Sequence, residues 1–245
     1  MRKVLLLAVL MMLVLVSGVS AQDDGTFTLQ IVHSSDNESS FQNPNTLEPK
    51  ILNYGAVIEG LRMLAESEGI GTLYLTAGDH TLPGPFFQAA AEAESLGAVG
   101  LGDIAFYNAM GLVANGMGNH EFDGGLDSFA TMLASADYPF LAVNLDFSAA
   151  EVGEGVSPIT IAEGGQNVAD IAGMVAPSAY VEVNGERIGL IGRAPADFFN
   201  VIEDPNTTMP GLDFVGGRNA EDNQPLESAV DMVLEQVALL EAQGI

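Results

Sequence analysis

The sequence predicts a layered α/β fold, and three observations support this prediction. Short apolar segments typical of β-strands alternate with segments whose apolar residues recur at the spacing of an α-helix. An Asn-Gly pair between two further strand-like segments is typical of a β-hairpin. The sequence contains no internal repeat, and nothing in it indicates a second domain.

The first half of the chain contains most of this alternation. Residues 27–33 alternate apolar and polar side chains, which predicts a strand, and residues 54–67 carry apolar residues along one helical face. Residues 72–77 predict a second strand. The segments that follow predict helices at residues 86–94, 104–110 and 126–134 and a strand at residues 139–143.

The second half begins with a segment that is hard to assign. Residues 151–173 are rich in Gly, Glu and small residues, and we expect a loop or an insertion. Residues 180–183 and 187–191 flank Asn184-Gly185 and predict a hairpin with a type I′ turn. Residues 225–243 predict a last helix, whose apolar stripe is Leu226, Val230, Val233, Val237 and Leu240. A strand is expected after residue 245, so the sequence is interpreted as truncated at its C-terminus.

The N-terminus has the three parts of a secretory signal peptide. Two basic residues precede an apolar segment at residues 4–16, and small residues follow at 17–21. The apolar segment is shorter than a membrane-spanning helix needs to be. We therefore expect residues 1–21 to be removed and the mature protein, residues 22–245, to be secreted or periplasmic without a membrane anchor.

The composition restricts the possible partners. The sequence has 33 acidic residues against 7 basic ones, a formal net charge of −26, and no cysteine. Such a charge repels nucleic acid and anionic membranes, so neither is expected as a partner. It would also repel a phosphate ester unless bound cations reversed the local sign. Without cysteine, no disulfide stabilises the exported protein.

Polar motifs follow three of the apolar segments. Asp36 lies after the first predicted strand and Asp79 after the second. The sequence Gly-Asn-His-Glu-Phe-Asp at residues 118–123 follows an apolar run at residues 110–114. The carboxyl ends of strands line the ligand crevice in layered α/β folds, so the three motifs can converge. Two carboxylates, an amide and further donors are what a two-metal site for phosphoryl chemistry requires.

The third motif also contains a candidate acid/base pair. Asn119 can ligate a hard metal through its amide oxygen, and the neighbouring His120 can reach a phosphoryl oxygen. Asp123 can hold His120 in one tautomer and raise its basicity. The alternative role for Asp123 is to cap the helix that begins near Leu126.

The order of these motifs resembles that of the calcineurin-like metallophosphoesterase superfamily. Residues 118–123, together with Leu-Thr-Ala-Gly-Asp at 75–79 and Arg-Ile-Gly-Leu-Ile-Gly at 187–192, resemble the secreted 5′-nucleotidase family within it. The resemblance extends from about residue 27 to the last residue. It implies that residues 22–245 form a four-layer αββα sandwich of the metallo-dependent phosphatase type, incomplete at its C-terminus.

The resemblance also implies roles for individual residues. Asp36, Asp79 and Asn119 resemble metal ligands, with Asp79 as the ligand that bridges two ions. His120 resembles the residue that stabilises the phosphoryl transition state, and Asp123 resembles its partner. Glu38 stands where the family usually has a histidine ligand. A carboxylate oxygen at that position shifts the preference toward harder ions such as Mn²⁺, Mg²⁺ or Ca²⁺.

The number of histidines departs from the family pattern. The family completes its second metal site with downstream histidines, but this sequence has only His33, His80 and His120. Two divalent ions (Mn, Zn, Mg or Ca) are therefore expected in a full-length parent and at most one in this chain, which we expect to be inactive alone. His33 is expected to be buried and structural. His80 is expected to be a loop residue rather than a ligand, with a place at the substrate entrance as the alternative.

Together these features favour a secreted, metal-dependent hydrolase of phosphoric esters. The type expected is a 5′-nucleotidase-like phosphomonoesterase acting on a small phosphorylated substrate such as a nucleotide. Two alternatives stay open: a phosphodiesterase for cyclic nucleotides or other organophosphates, and a non-catalytic binding protein that retains the fold. Glu38 and the missing downstream histidines favour the binding protein for the chain as it stands.

Overall fold

The computed structural model describes residues 26–43, 45–46 and 48–245. The signal peptide predicted at residues 1–21 lies outside the described residues, and its removal stays a prediction. Within the described part of the chain, no helix combines the length and the apolar character that crossing a membrane requires.

The described residues form ten short strands and seven helices. The strands are β1 Leu29–Ser34, β2 Gly71–Thr76, β3 Ala114–Gly116, β4 Phe140–Leu141, β5 Leu145–Asp146, β6 Gln166–Asn167, β7 Val175–Ala176, β8 Ser178–Val183, β9 Glu186–Ile191 and β10 Asp213–Phe214. The helices are α1 Ile51–Ser67, α2 Pro85–Glu92, α3 Leu101–Ala109, α4 Gly125–Ala134, α5 Phe198–Val201, α6 Pro205–Thr208 and α7 Ala229–Ala242. Short 3₁₀ turns lie at His120–Phe122 and Val168–Asp170. All elements predicted in the first half are present, with ends shifted by a few residues.

Five strands form a parallel sheet in the order β1-β2-β3-β4-β7. Leu29 of β1 lies opposite Gly71 of β2, and Thr76 of β2 lies opposite Asn115 of β3. Because parallel neighbours run in the same direction, the carboxyl ends of β1, β2 and β3 meet at one edge of the sheet. The loops that carry the three polar motifs therefore begin side by side.

A second sheet has the order β6-β8-β9, and its β8 and β9 form the predicted hairpin. Asn184 and Gly185 connect the two strands with φ values of 50° and 87°. A type I′ turn requires a positive φ at both central residues, and Asn-Gly adopts these values at low cost. The hairpin and its turn type are confirmed.

Two apolar cores lie on opposite faces of the parallel sheet. The larger core joins the sheet to α1 and α4, where Tyr74, Ile58 and Phe129 are almost fully buried. The smaller core, between the two sheets, contains small side chains such as Ala114 and Ala179. Small residues allow the two sheets to approach closely, and burial of one large apolar side chain contributes about 1.5–3 kcal/mol.

Helix α7 covers the outer face of the second sheet. Leu240 of α7 is buried and lies against Gly189 of β9, where a Cβ atom would come within 3.0 Å of the leucine side chain. The layers therefore follow the order helix, sheet, sheet, helix. The α/β class and the αββα arrangement are confirmed.

The predicted start and apolar stripe of the last helix are wrong in part. Helix α7 begins at Ala229, because Pro225 pairs with Arg218 in an isolated β-bridge and the chain is not helical there. Leu226 is therefore outside the helix and 63% exposed, and Val230 is 67% exposed. Met232 and Leu240 are the buried residues of this helix.

Candidate active site

The loops after β1, β2 and β3 are joined to one another by backbone hydrogen bonds. The Asp36 N–H donates to the Gly78 carbonyl at 3.2 Å, and the Glu38 N–H donates to the Asp79 carbonyl at 2.9 Å. The His120 N–H donates to Oδ1 of Asp79 at 2.9 Å. The structure therefore brings the three motif loops together, as the strand order predicts.

Three candidate ligands have left-handed backbone conformations. The φ values are 51° at Asp36, 49° at Glu38 and 54° at Asp79. Only seven non-glycine residues in the described part of the chain have positive φ, and Ser39 is a fourth in these loops. Such conformations cost about 1–3 kcal/mol each and collect at functional sites. Four of the seven positive-φ non-glycine residues thus lie in these loops.

Two glycines permit the close approach of the second and third loops. A Cβ atom on Gly118 would lie 2.2 Å from Oδ1 of Asp79, and one on Gly78 would lie 2.2 Å from the Gly118 nitrogen. Gly78 also has a φ of 91°, which favours glycine over every other residue. The Gly-Asp and Gly-Asn-His sequences thus need their glycines for contact between the loops.

His120 and Asp123 form a hydrogen-bonded pair at the edge of the site. Nδ1 of His120 lies 2.7 Å from Oδ2 of Asp123, with side chains 28% and 22% exposed. Burial lowers the pKa of His120, but the Asp123 hydrogen bond and the charges of Asp123, Asp79 and Glu38 outweigh it and raise the pKa above its usual value. Asp123 does not cap α4, which begins at Gly125 and has Gly124 at its N-cap.

Glu121 connects the second and third loops on their buried side. Its carboxylate is buried and accepts hydrogen bonds from the backbone N–H groups of Gly118, Asp79 and His80 at 2.8, 3.1 and 2.8 Å. Burial raises the pKa of Glu121 to about 7, although the hydrogen bonds oppose the shift. Glu121 therefore orders the two loops from the protein interior.

Of the other two histidines, His80 lies in a loop as expected, and His33 does not have the buried position expected for it. His80 is 1% exposed, and burial lowers its pKa to about 3, so it is neutral and does not line a substrate entrance. His33 is exposed, not buried. It projects from β1, an edge strand of the parallel sheet, into a cleft of about 380 Å³ between the two sheets.

The donors in the three loops suit a hard divalent ion. The carboxylates of Asp36 and Glu38 accept no hydrogen bond from the described residues, so their oxygens are available, and Asn119 adds an amide oxygen. No three His, Asp or Glu side chains of the described residues already meet in a cluster that could hold an ion. The roles of Asp36, Glu38, Asp79 and Asn119 as metal ligands stay predictions.

Sequence reasoning missed the polar residues behind the loops. The Asn115 side chain accepts hydrogen bonds from the Thr76 hydroxyl at 2.9 Å and the Gly78 N–H at 3.0 Å. Asn37 donates to the hydroxyl of Tyr107 at 2.6 Å. The signal available in the sequence was weak: an amide directly after an apolar run at 115, and another between two carboxylates at 37.

Comparison with known proteins found sequence similarity to 5′-nucleotidases and a similar fold in a calcineurin-like phosphoesterase. No protein-family model matches the chain. It is 26% identical over 227 residues to the 5′-nucleotidase of Diplobatis ommata, covering 89% of this chain and 32% of that protein. The 5′-nucleotidase precursor of Thermus thermophilus superposes with a TM-score of 0.61 at 25% identity, covering 89% of this chain and 36% of that one. The calcineurin-like phosphoesterase YfkN of Bacillus subtilis gives a TM-score of 0.53 at 17% identity, covering 88% and 59%.

The chain spans about a third of the length of the curated relative described above.

Proposed function

Since the chain is similar to 5′-nucleotidases over most of its length, we propose that it forms the metal-binding and acid/base part of a secreted phosphomonoesterase that acts on nucleotides. The observation that carries this proposal is the His120–Asp123 pair, at 2.7 Å, beside three joined loops that present carboxylate and amide oxygens. The nucleotide substrate is suggested by the names of the relatives.

The proposed chemistry divides the work between a bound cation and the chain. Divalent ions of this family, when bound, neutralise phosphoryl oxygens and make the attacking water more acidic. Asp36, Glu38, Asp79 and Asn119 would hold the ion. The Nδ1–H group of His120 donates a hydrogen bond to Asp123, which directs Nε2 of the ring toward a phosphoryl oxygen of the substrate.

The size of the neighbouring space is compatible with a small ester. A cavity of about 600 Å³ lies beside Asp123 and extends along Gly124, Asp127 and Glu151. This volume is within the range of ordinary ligand pockets. Its acidic lining would repel a free phosphate group. We therefore place the phosphoryl group of the substrate at the cation held by the three loops, and the uncharged part of the substrate in the cavity.

We further propose that this chain binds at most one divalent ion and has little turnover by itself. A second ion of the family type would need imidazole ligands, and the three histidines are otherwise placed. His80 is buried against Thr76, His120 is bonded to Asp123, and His33 lies on an exposed strand face. Oxygen donors alone favour Mn²⁺, Mg²⁺ or Ca²⁺ over softer ions.

The activity is tested with the protein expressed from its complete gene. We expect it to hydrolyse a nucleoside 5′-monophosphate, to lose activity when a chelator removes divalent ions, and to regain activity with Mn²⁺. A cyclic nucleotide and a phosphodiester serve as competing substrates. Faster hydrolysis of either one would replace the phosphomonoesterase by a phosphodiesterase, and Mn²⁺ binding without any hydrolysis would favour a non-catalytic binding protein.

A further inference from the structure

Asn37 lies between the candidate ligands Asp36 and Glu38, and its side chain is held by tyrosines from two helices. Its Nδ2 group donates to the hydroxyl of Tyr107 on α3 at 2.6 Å and to the hydroxyl of Tyr54 on α1 at 3.1 Å. The amide of Asn37 therefore fixes the part of the loop from which the two flanking carboxylates project.

The same Tyr107 also contacts the second loop. Its ring is fully buried and stacks on the imidazole of His80, with ring centroids 4.0 Å apart and an interplanar angle of 20°. His80 directly follows the candidate ligand Asp79. One side chain thus contacts both loops, the first through its hydroxyl and the second through its ring.

Hydrogen bonds fix the orientation of the His80 ring. The Thr76 hydroxyl must donate to Oδ1 of Asn115, at 2.9 Å, because a side-chain amide oxygen can only accept. Nε2 of His80, 2.6 Å from the same hydroxyl, must therefore donate to Thr76. The ring is a neutral imidazole in a defined tautomer, tied to the end of β2, and it cannot turn away from Tyr107 without breaking this bond.

The two loops are in direct contact above these side chains. The Glu38 N–H donates to the Asp79 carbonyl and the Ser39 N–H donates to the His80 carbonyl, both at 2.9 Å. We propose that Tyr107 is a positioning residue that sets the distance between the first and second ligand loops through Asn37 and His80. This proposal rests on the proposed function, because that function assigns the ligands that Tyr107 would position.

Tyr107→Phe tests the proposal, because it removes the hydroxyl and retains the stacked ring. Asn37 keeps its bond to Tyr54 but loses the shorter one, so residues 36–38 are held less firmly. Groups that orient metal ligands typically change affinity by about 10–100-fold. We expect Mn²⁺ binding, titrated on the folded protein well below its unfolding temperature, to weaken within that range.

Tyr138→Phe is the matched control. Tyr138 is also almost fully buried and also contacts the His80 ring, at a centroid distance of 6.2 Å, but its hydroxyl has no hydrogen-bond partner among the described residues. The control removes the same atom from an equally buried ring without breaking a link to a loop. We expect Mn²⁺ affinity in this variant to equal that of the unmodified protein.

A second measurement without metal separates the positioning role from the proposed function. The Glu38 and Ser39 amide protons, which bond to the second loop, should exchange with solvent about tenfold faster in Tyr107→Phe than in Tyr138→Phe, the scale of one lost hydrogen bond. If the unmodified protein binds no Mn²⁺, the proposed function is wrong. The amide exchange rates then still test whether Tyr107 positions the two loops, because they are measured without metal. Unchanged exchange in Tyr107→Phe, or equal acceleration in both variants, would overturn the proposal.

Discussion

Replacing His120 by alanine is expected to lower kcat for phosphomonoester hydrolysis by about 10²–10⁴-fold in the protein expressed from its complete gene. Acid/base groups and groups that stabilise transition-state charge contribute on this scale. The hydrogen bond to Asp123 at 2.7 Å orients the His120 ring and, against the effect of burial, raises its pKa. The variant should still bind Mn²⁺, because His120 is not among the proposed ligands. Steady-state kinetics at saturating Mn²⁺ measure the effect.

His33→Ala is the control for this experiment. His33 is also partly accessible to solvent, but it lies on β1 before the loop that carries Asp36 and Glu38. We expect its kcat to stay within about twofold of the unmodified value, as for surface substitutions away from a site. Equal kcat in His120→Ala and the unmodified protein would show that His120 has no role in the reaction.

Asp103→Asn is expected to stabilise the protein at pH 8 by roughly 2–4 kcal/mol. The Asp103 side chain, in the first turn of α3, is fully buried. Burial raises its pKa to about 7, although the neighbouring Ser39 hydroxyl opposes the shift. The folded protein therefore retains this proton up to about pH 7, whereas the unfolded chain loses it near the ordinary value of 3.8.

The sign of the pH dependence follows from this difference. Because the folded state binds the proton more tightly, this group contributes stability that is lost as the pH rises from about 4 to about 7. Asparagine carries no charge, so the variant lacks this loss, and its advantage should disappear near pH 4. Urea unfolding at pH 4 and pH 8 measures both values.

Asp137→Asn provides the comparison for Asp103→Asn, because Asp137 is exposed at the loop before β4. Its substitution should change the free energy of unfolding by about 0.5 kcal/mol or less at either pH. A stability difference between Asp103→Asn and the unmodified protein that is the same at pH 4 and pH 8 would contradict the account of the buried carboxyl group.

The local parts of the fold could be predicted from the sequence because local patterns determine them. The Asn184-Gly185 turn follows from two positive φ values that few other residue pairs adopt easily. The Gly-Asp and Gly-Asn-His motifs could be recognised for a related reason, since Gly78 and Gly118 allow a backbone contact that any Cβ would block. In these places the residue type and the geometry depend on each other directly.

The predictions that were wrong concern the burial of side chains, which depends on parts of the chain that are distant in sequence. His33 has the alternation of a buried strand residue, but β1 is an edge strand and the face that carries His33 is open. Leu226 fits a helical stripe, but a bridge between Pro225 and Arg218 delays the helix by several residues. Periodicity reports which residues share a face, and it does not report whether another element covers that face.

The supporting groups of the site were missed because their partners are far away in sequence. The Asn37–Tyr107 hydrogen bond joins residues separated by 70 positions, and His80 stacks on a ring 27 positions downstream in the chain. Apolar patterns place Tyr107 on a buried helix face but give no information about its hydroxyl.

The loops after β1, β2 and β3 are proposed to form one site for a hard divalent ion. The most direct test is a titration with Mn²⁺ in which electron paramagnetic resonance measures the bound and free ion. We predict one weakly bound Mn²⁺ per chain for residues 22–245, loss of that binding in Asp79→Asn, and no change in Asp137→Asn. Asparagine at position 79 can still accept the bond from the His120 N–H through its amide oxygen, so the loops keep their contact while one charged ligand is removed. Unchanged binding in Asp79→Asn, absence of any bound ion in the unmodified protein, or two tightly held ions per chain would contradict the account.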